Sequence, residues 1–268
     1  MDEITSHDNK SVRLFRKLKE KKHRDATGSY MIEGPNLIKE AIENGMDVIL
    51  AGMVSKIPGT ETQRSHIPDT IVESLADKIA YISPDIFNTL TDTVTSQGII
   101  AVVEKRNVDF DGGRNRFVIL DELQDPGNVG TILRTAEAAD FTGVIAVRGT
   151  ADIYSPKVVR AAAGSLFRIG IVQADSRVKA VSFAADRGIS LYACDSEGGS
   201  SYTEVDLREN IGIIIGNEGN GVSDYFIERS ERINIPMKKG TESLNASVAA
   251  GIIIYESERQ QIKENYAG

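Results

Sequence analysis

A single cysteine, Cys194, in a chain of 268 residues leaves no means of building an internal disulfide framework and fits a reducing compartment. At the end of the strand-like stretch ISLYAC it reads as a small buried filler rather than a nucleophile. His7, His23 and His66 are scattered through the first part of the chain and form no ligand cluster, so no metal is expected. Long apolar runs are missing too. Stretches such as GVIAV and AAGIIIY fall far short of the roughly 20 residues a membrane span needs. The charged, polar start MDEITSHDNK offers no secretory signal, and a cytoplasmic protein is expected.

Two phosphate-binding fingerprints are also lacking. In IIIGNEGNGVSD the glycines fall at 216, 219 and 221, an order different from G-x-G-x-x-G, and no Gly-Lys-Ser/Thr follows. A nucleotide-dependent oxidoreductase loses its main support with that fingerprint.

What is present is the composition of an ordinary globular protein, 41% hydrophobic and 26% charged, long enough for two domains. The formal charge of −8 runs against a nucleic-acid partner, but distribution matters more than the sum. The stretch SVRLFRKLKEKKHR concentrates Arg13, Arg16, Lys17, Lys19, Lys21, Lys22 and Arg24. Such a segment either docks a phosphate backbone or is a solvated helix face.

Periodicity gives the organisation. Residues 11–23 pattern as an amphipathic helix with Val12, Phe15 and Leu18 on one side. YMIEG, DVILAGMV, IAYIS and QGIIAVVEK read as strands. Between them PNLIKEAIENG and PDIFNTLTD read as helices, making a small α/β block that ends near Arg106. The polar RNVDFDGGRNR, with its Gly-Gly pair, is the linker. From FVILDEL onward apolar strands alternate with helices, the last helix starting near Leu244. That alternation predicts an α/β fold with an open parallel sheet covered on both faces.

Ligands of such sheets bind beyond the carboxyl ends of the strands, and three loops there are rich in Gly and polar residues. In DELQDPGNVGTILRTAEAADF, Asn128 is placed to cap the helix that carries Arg134. In IIIGNEGNGVSD three glycines surround Glu218, which suits either close approach of a ligand or a tight turn. In IPMKKGTESLNASVAAGIII, Thr241, Ser243, Asn245 and Ser247 precede an apolar helix of small residues, more polar groups than one cap requires.

Together, DPGNVGTILRTAEA, IIIGNEGNGVS and INIPMKKGTESLNASVAAGIIIYE resemble motifs 1, 2 and 3 of the SpoU (TrmH) ribose methyltransferases of the SPOUT superfamily. Upstream, RKLKEKKHRDATGSYMIEGPNLIKEAI and TSQGIIAVVE are similar to the N-terminal substrate-binding domain of many members. The resemblance implies residues 1–106 as an RNA substrate-binding domain of ribosomal-protein-like α/β fold. Residues 107–116 would be the linker, and residues 117–268 a SPOUT catalytic domain with a deep trefoil knot.

By the same resemblance the cofactor is S-adenosylmethionine and the reaction methylation of a ribose 2′-hydroxyl, in large-subunit ribosomal RNA. The partners implied are RNA and a second copy of the chain, joined through the catalytic domain. Arg134 matches the family's catalytic arginine, and Asn128, Glu218, Ser243 and Asn245 match its other active-site positions. Gly216, Gly221, Ile235 and Leu244 match the cofactor-binding region. Contact with RNA is expected from Arg13, Arg16, Lys17, Lys21 and Arg24, and from Arg160 and Arg168 in SPKVVRAAAGSLFR. Transfer RNA as substrate, and a non-catalytic RNA-binding assembly factor on the same fold, remain the alternatives; the retained polar set speaks against the second.

Overall fold

A computed structural model describes residues 3–55, 67–93, 96–108, 110, 115–196, 198–238, 240 and 242–266, the last four by backbone alone. His66, Thr241 and linker residues 109 and 111–114 lie outside the described residues. The chain divides into two compact units: Met1–Arg106 with Tyr154–Phe167, and Asn107–Ile153 with Arg168–Gly268. No helix among the described residues is long and apolar enough to cross a membrane.

The first unit runs α1 (Lys10–Lys17), α2 (Lys21–Thr27), β1 (Ser29–Glu33), α3 (Pro35–Glu43), β2 (Val48–Val54), α4 (Asp69–Ser74), β3 (Ile79–Ile82), α5 (Pro84–Leu90) and β4 (Ile99–Glu104). Its sheet has the order β1-β4-β2-β3, with only the β2–β3 pair parallel. Val12 and Phe15 of α1, with Leu18, join Ile86, Phe87 and Leu90 of α5 against Met31, Val54, Ile100 and Val102 on one sheet face. The helix expected over 11–23 is in fact two. Leu18 turns into the core as the C-cap of α1. The Arg24 guanidinium, itself only 3% exposed, donates from Nη1 to the Leu18 carbonyl at 2.6 Å and satisfies the chain end so created. The helix α4 was not expected from the pattern; one buried residue, Ile71, is too little apolar signal.

Sequence order alone does not predict that Tyr154–Phe167 groups with the first unit. The Tyr154 ring lies 4.9 Å from that of Tyr30, the Lys105 ammonium sits 4.7 Å from its centroid, and Arg106 donates to the Phe167 carbonyl at 2.6 Å.

In chain order the helix of that segment is α7 (Pro156–Ala162). The second unit holds β5 (Arg116–Leu120), α6 (Pro126–Ala138), β6 (Gly143–Val147), β7 (Gly170–Ala174), α8 (Arg177–Asp186), β8 (Ser190–Cys194), β9 (Ser200–Ser201), β10 (Ile211–Ile215), α9 (Asp224–Ile227), β11 (Glu231–Asn234) and α10 (Ala246–Tyr266). Its seven strands follow the order β7-β6-β5-β10-β8-β11-β9, and every ladder is parallel. β5, β6 and β10 are buried along their whole length, as strands between two helix layers must be. α8 and α9 supply Ala180, Ala184 and Phe226 to one layer. On α6 and α10, Val129, Ile132, Leu133, Ala136, Ala250, Ile253 and Ile254 are buried. Phe110, counted within the linker, packs its ring 5.4 Å from Phe117 and 5.8 Å from Phe183.

One buried cation fastens the C-terminal helix to the sheet. Arg116 opens β5 with its side chain 2% exposed, its guanidinium 4.4 Å from the Phe141 centroid. Nη1 meets Glu258 at 3.2 Å and Nη2 donates to Ser257 Oγ at 3.1 Å. Ser257 in turn donates to the Leu207 carbonyl at 2.5 Å. Arg116→Ala would leave these acceptors without their cation and is expected to cost about 2–4 kcal/mol. Ser257→Ala should cost about 1 kcal/mol. Urea unfolding of both variants measures the difference, and an Arg116→Ala midpoint equal to wild type would refute the anchor.

Candidate active site

Inserting β10 between β5 and β8 reverses the winding of the sheet, and a crevice opens at the carboxyl ends of these strands. The loops that follow β8, β10 and β11 wall a pocket of about 750 Å³, within the usual range for a cofactor site. Its wall includes Cys194 and Asp195, the run Gly216–Val222, Ile235 and Met237, then Ser243–Ala246 and Ala249.

Beside the pocket three distant segments are joined through one carboxylate. Glu218 accepts from the backbone N–H groups of Gln124 (3.1 Å) and Asp125 (3.0 Å) and from Asn128 Nδ2 (3.1 Å). Asn128 Oδ1 accepts from Asn245 Nδ2 at 3.0 Å. Asn245 Oδ1 accepts from the Ser247 and Val248 N–H groups at 2.9 and 3.3 Å and from Ser247 Oγ at 2.6 Å. All donors along this relay point the same way, from the free amides of α10 toward the Glu218 charge, so each bond polarises the next. Desolvation is the largest single influence on Glu218 and raises its pKa. The hydrogen bonds from Asn128 and from the backbone outweigh it, and the net result lies below the ordinary value of 4.5.

This geometry corrects two expectations. The cap of α6 is Asp125, whose Oδ1 accepts from the Asn128 N–H at 2.7 Å; Asn128 lies inside the helix with its side chain free for the relay. The last helix begins at Ala246 rather than near Leu244, because the Asn245 side chain occupies the capping role.

The Gly216–Val222 loop folds back so tightly that a Cβ on Gly216 would overlap the backbone of Gly221 and Val222. Gly221 holds φ +68°, and its amide exchanges hydrogen bonds with Asn217. Sequence reasoning passed over Asn217. Its Oδ1 accepts from the Gly219 and Asn220 N–H groups, and its Nδ2 donates to the Glu122 carbonyl at 2.9 Å. The signal was an Asn directly after Gly216 in a glycine-rich turn, where Asx turns form.

Glu218, Ser243, Asn245, Gly216, Gly221, Ile235 and Leu244 all lie on the pocket wall, with Asn128 bonded to two of them. Arg134 does not; it stands on the exposed side of α6 with no hydrogen bond or ion pair among the described residues. Cys194 borders the pocket, but burial, with Asp195 adding, pushes its thiol up to about 11, which rules out a resting thiolate.

The expected RNA contacts divide. Arg13, Lys17 and Arg160 are exposed and unpaired among the described residues. Arg16 donates to His7 Nδ1 at 2.9 Å, Lys21 pairs with Asp25 at 2.6 Å and Arg168 with Glu137 at 2.6 Å. Arg24 is buried in the hydrogen bond already described and is not part of that surface.

A parallel sheet with a pocket at its switch point, and without the dinucleotide turn, defines an open-sheet α/β domain whose ligand crevice is walled by late loops of the chain. The chain belongs to the SpoU rRNA methylase family, whose model matches residues 115–255. Residues 9–101 match the MRM3-like substrate binding domain. The 23S rRNA (guanosine(2553)-2′-O)-methyltransferase RlmP of Bacillus subtilis is 33% identical over 256 residues, 95% of this chain and 98% of that protein. The 23S rRNA (uridine(2479)-2′-O)-methyltransferase of Streptomyces viridochromogenes is 30% identical over 89% of this chain and 85% of its own length. The AdoMet-bound rRNA methyltransferase of Sinorhizobium meliloti superimposes with a TM-score of 0.83 at 28% identity, covering 97% of this chain and 98% of that one.

Because the folded pKa of Glu218 is lowered, the order it imposes is present above its unfolded value of 4.5 and lost as pH falls through the folded one. Cofactor affinity followed by calorimetry should therefore stay level from about pH 7 to pH 5 and decline only below that. Glu218→Gln should weaken binding about tenfold at neutral pH and abolish the acid limb. An unchanged limb in the variant would assign it to another group.

Proposed function

We propose that this chain transfers a methyl group from S-adenosylmethionine to a ribose 2′-hydroxyl of 23S ribosomal RNA, in the cytoplasm. The observation that carries this reading is the match to the Bacillus 23S rRNA methyltransferase over nearly the whole of both chains, substrate-binding region included.

The pocket suits the cofactor on its own residues. Its size is right, Ile215, Ile235, Leu244 and Ala249 offer apolar surface for a nucleoside, and the Gly216 turn leaves backbone groups bare. When bound, the cofactor supplies a methyl group activated by a positive sulfur. The protein has to bring the ribose oxygen into line and help it lose its proton. A guanidinium keeps its proton up to a pKa of about 12 or more, so the part we give Arg134 is to stabilise the developing alkoxide. The Glu218–Asn128–Asn245 relay positions the loops around that event.

We further infer a homodimer. On α10, Val248, Tyr255 and Ile262 are 51%, 52% and 46% exposed and recur every seven residues, an apolar stripe suited to a second copy. Arg134 stands apart from the pocket of its own chain, and a partner across this stripe would bring it to the neighbouring one. The knotted path implied by the resemblance is supported by the placing of β10 between β5 and β8 and of β11 between β8 and β9. A crystallographic trace that pulls straight when its ends are drawn apart would refute it. For RNA docking, Lys10, Arg13 and Lys17 share one exposed face of α1 at spacings of three and four, unpaired among the described residues.

Tritium transfer from labelled cofactor should mark unmodified 23S rRNA and not bulk transfer RNA, with nuclease-resistant dinucleotides confirming the 2′-oxygen. Arg134→Ala should lower turnover by about a hundredfold or more. Label in transfer RNA alone would overturn the substrate. Mixing inactive Arg134→Ala and Asn245→Ala chains should restore roughly a quarter of normal activity if sites are shared across the dimer. No recovery from mixed dimers would place each site within one chain. Replacing Lys10, Arg13 and Lys17 together by Ala should weaken RNA binding and flatten its salt dependence by about two to three in log–log slope. An unaltered slope would move the docking face elsewhere.

A further inference from the structure

We propose that Arg177, which lies outside the cofactor pocket, is a positioning residue that holds both ends of the Gly216–Val222 loop by gripping the corner Asp121–Glu122. This rests on the cofactor occupying that pocket.

The corner follows β5, and each of its residues holds one end of the loop. The Asp121 side chain, 1% exposed, accepts from the Ser223 N–H at 2.9 Å through Oδ2, which fixes the loop's exit. The Glu122 carbonyl accepts from Asn217 Nδ2 at 2.9 Å, which fixes its entrance. Arg177 then binds both carboxylates: Nε meets Asp121 Oδ1 at 2.6 Å and Nη2 meets Glu122 Oε1 at 2.8 Å.

Two features show that this arrangement is held against local preference. Glu122 has φ +57°, a left-handed conformation that side chains other than glycine adopt at a cost, and such strain persists only where surroundings enforce it. Arg177 is the first residue of α8, where the helix dipole disfavours a cation. The double ion pair offsets both. A guanidinium fork can meet two carboxylates at once, whereas an ammonium is a single point of charge.

Arg177 faces a separate open cavity of about 340 Å³ with Val147, Asp175 and Tyr225, so its effect on the cofactor is transmitted through Asp121 and Glu122 and involves no contact. Arg177→Gln in the full chain should weaken S-adenosylmethionine binding by about tenfold, read by calorimetry, and raise its KM to match. Turnover at saturating cofactor should change less than about twofold, since no reacting atom is touched. Arg177→Lys should recover only part of the affinity. In a Glu122→Gly background, where glycine takes the corner's conformation freely, the same Arg177→Gln change should cost clearly less. Equal affinity of wild type and Arg177→Gln, a fall in kcat with KM unchanged, or strictly additive effects with Glu122→Gly would each overturn the proposal. Failure of the wild-type chain to bind the cofactor would remove the pocket assignment and the proposal with it.

Discussion

The second unit turns on one carboxylate. Glu218 is reached by the loop after β5 through two backbone N–H groups and by α6 through Asn128, and Asn128 passes the connection to Asn245 and the start of α10. The bonded pairs lie 90 to 117 residues apart in sequence, so none of these ties can form by local preference alone. A charged acceptor of several N–H groups is among the stronger ties available to a partly exposed site. The pocket wall exists in its observed form because the ends of three loops are tied to one another before any ligand arrives, which is the preorganisation a positioned reaction needs.

The polar excess ahead of an apolar helix now has a physical account. Asn245 caps α10 with its oxygen and joins the relay with its nitrogen, while Ser243 and Leu244 face the pocket. Behind them the helix must lie close to the sheet and to α6, and small residues permit it: Ala250 is fully buried, and a Cβ on Gly251 would stand 3.8 Å from Thr135 Cγ2. Farther along the same helix the Arg116 anchor fixes Ser257 and Glu258 to the start of β5. One end of α10 is thereby held by the site and the other by the core.

The parallel sheet, its helices and the three loops were legible because apolar runs and turn residues announce them. The glycines around Glu218 were legible as backbone a ligand can approach, whereas Ile235 and Leu244, which line the pocket, were reached only through resemblance of ordered motifs, since nothing in a lone isoleucine marks a pocket wall. The break between α1 and α2 was hidden, since it depends on a buried tie from Arg24 to the Leu18 carbonyl, and an arginine in a basic run reads as surface. Asn128 was misplaced as a cap because Asp125, three residues earlier, is an equally good cap by type, and only the fold decides which side chain is needed elsewhere. The grouping of Tyr154–Phe167 with the first unit was beyond pattern reading, for ring contacts between Tyr30 and Tyr154 leave no periodic trace.

Charge follows the same logic. An overall −8 conceals how the basic stretch near the N-terminus is spent. Lys19 pairs with Asp92, Lys21 with Asp25, Lys22 with Glu20, and Arg24 is consumed inside the fold. Lys10, Arg13 and Lys17 keep exposed side chains without partners among the described residues. Their spacing puts them on one face of α1, opposite the Val12 and Phe15 side that enters the core. Pairing therefore trims a diffuse run of cations to a narrow ridge on a helix whose other face is locked in the core. A rigid ridge of that kind presents its charges at fixed spacing to a phosphate backbone, which an unpaired, flexible basic tail would not do.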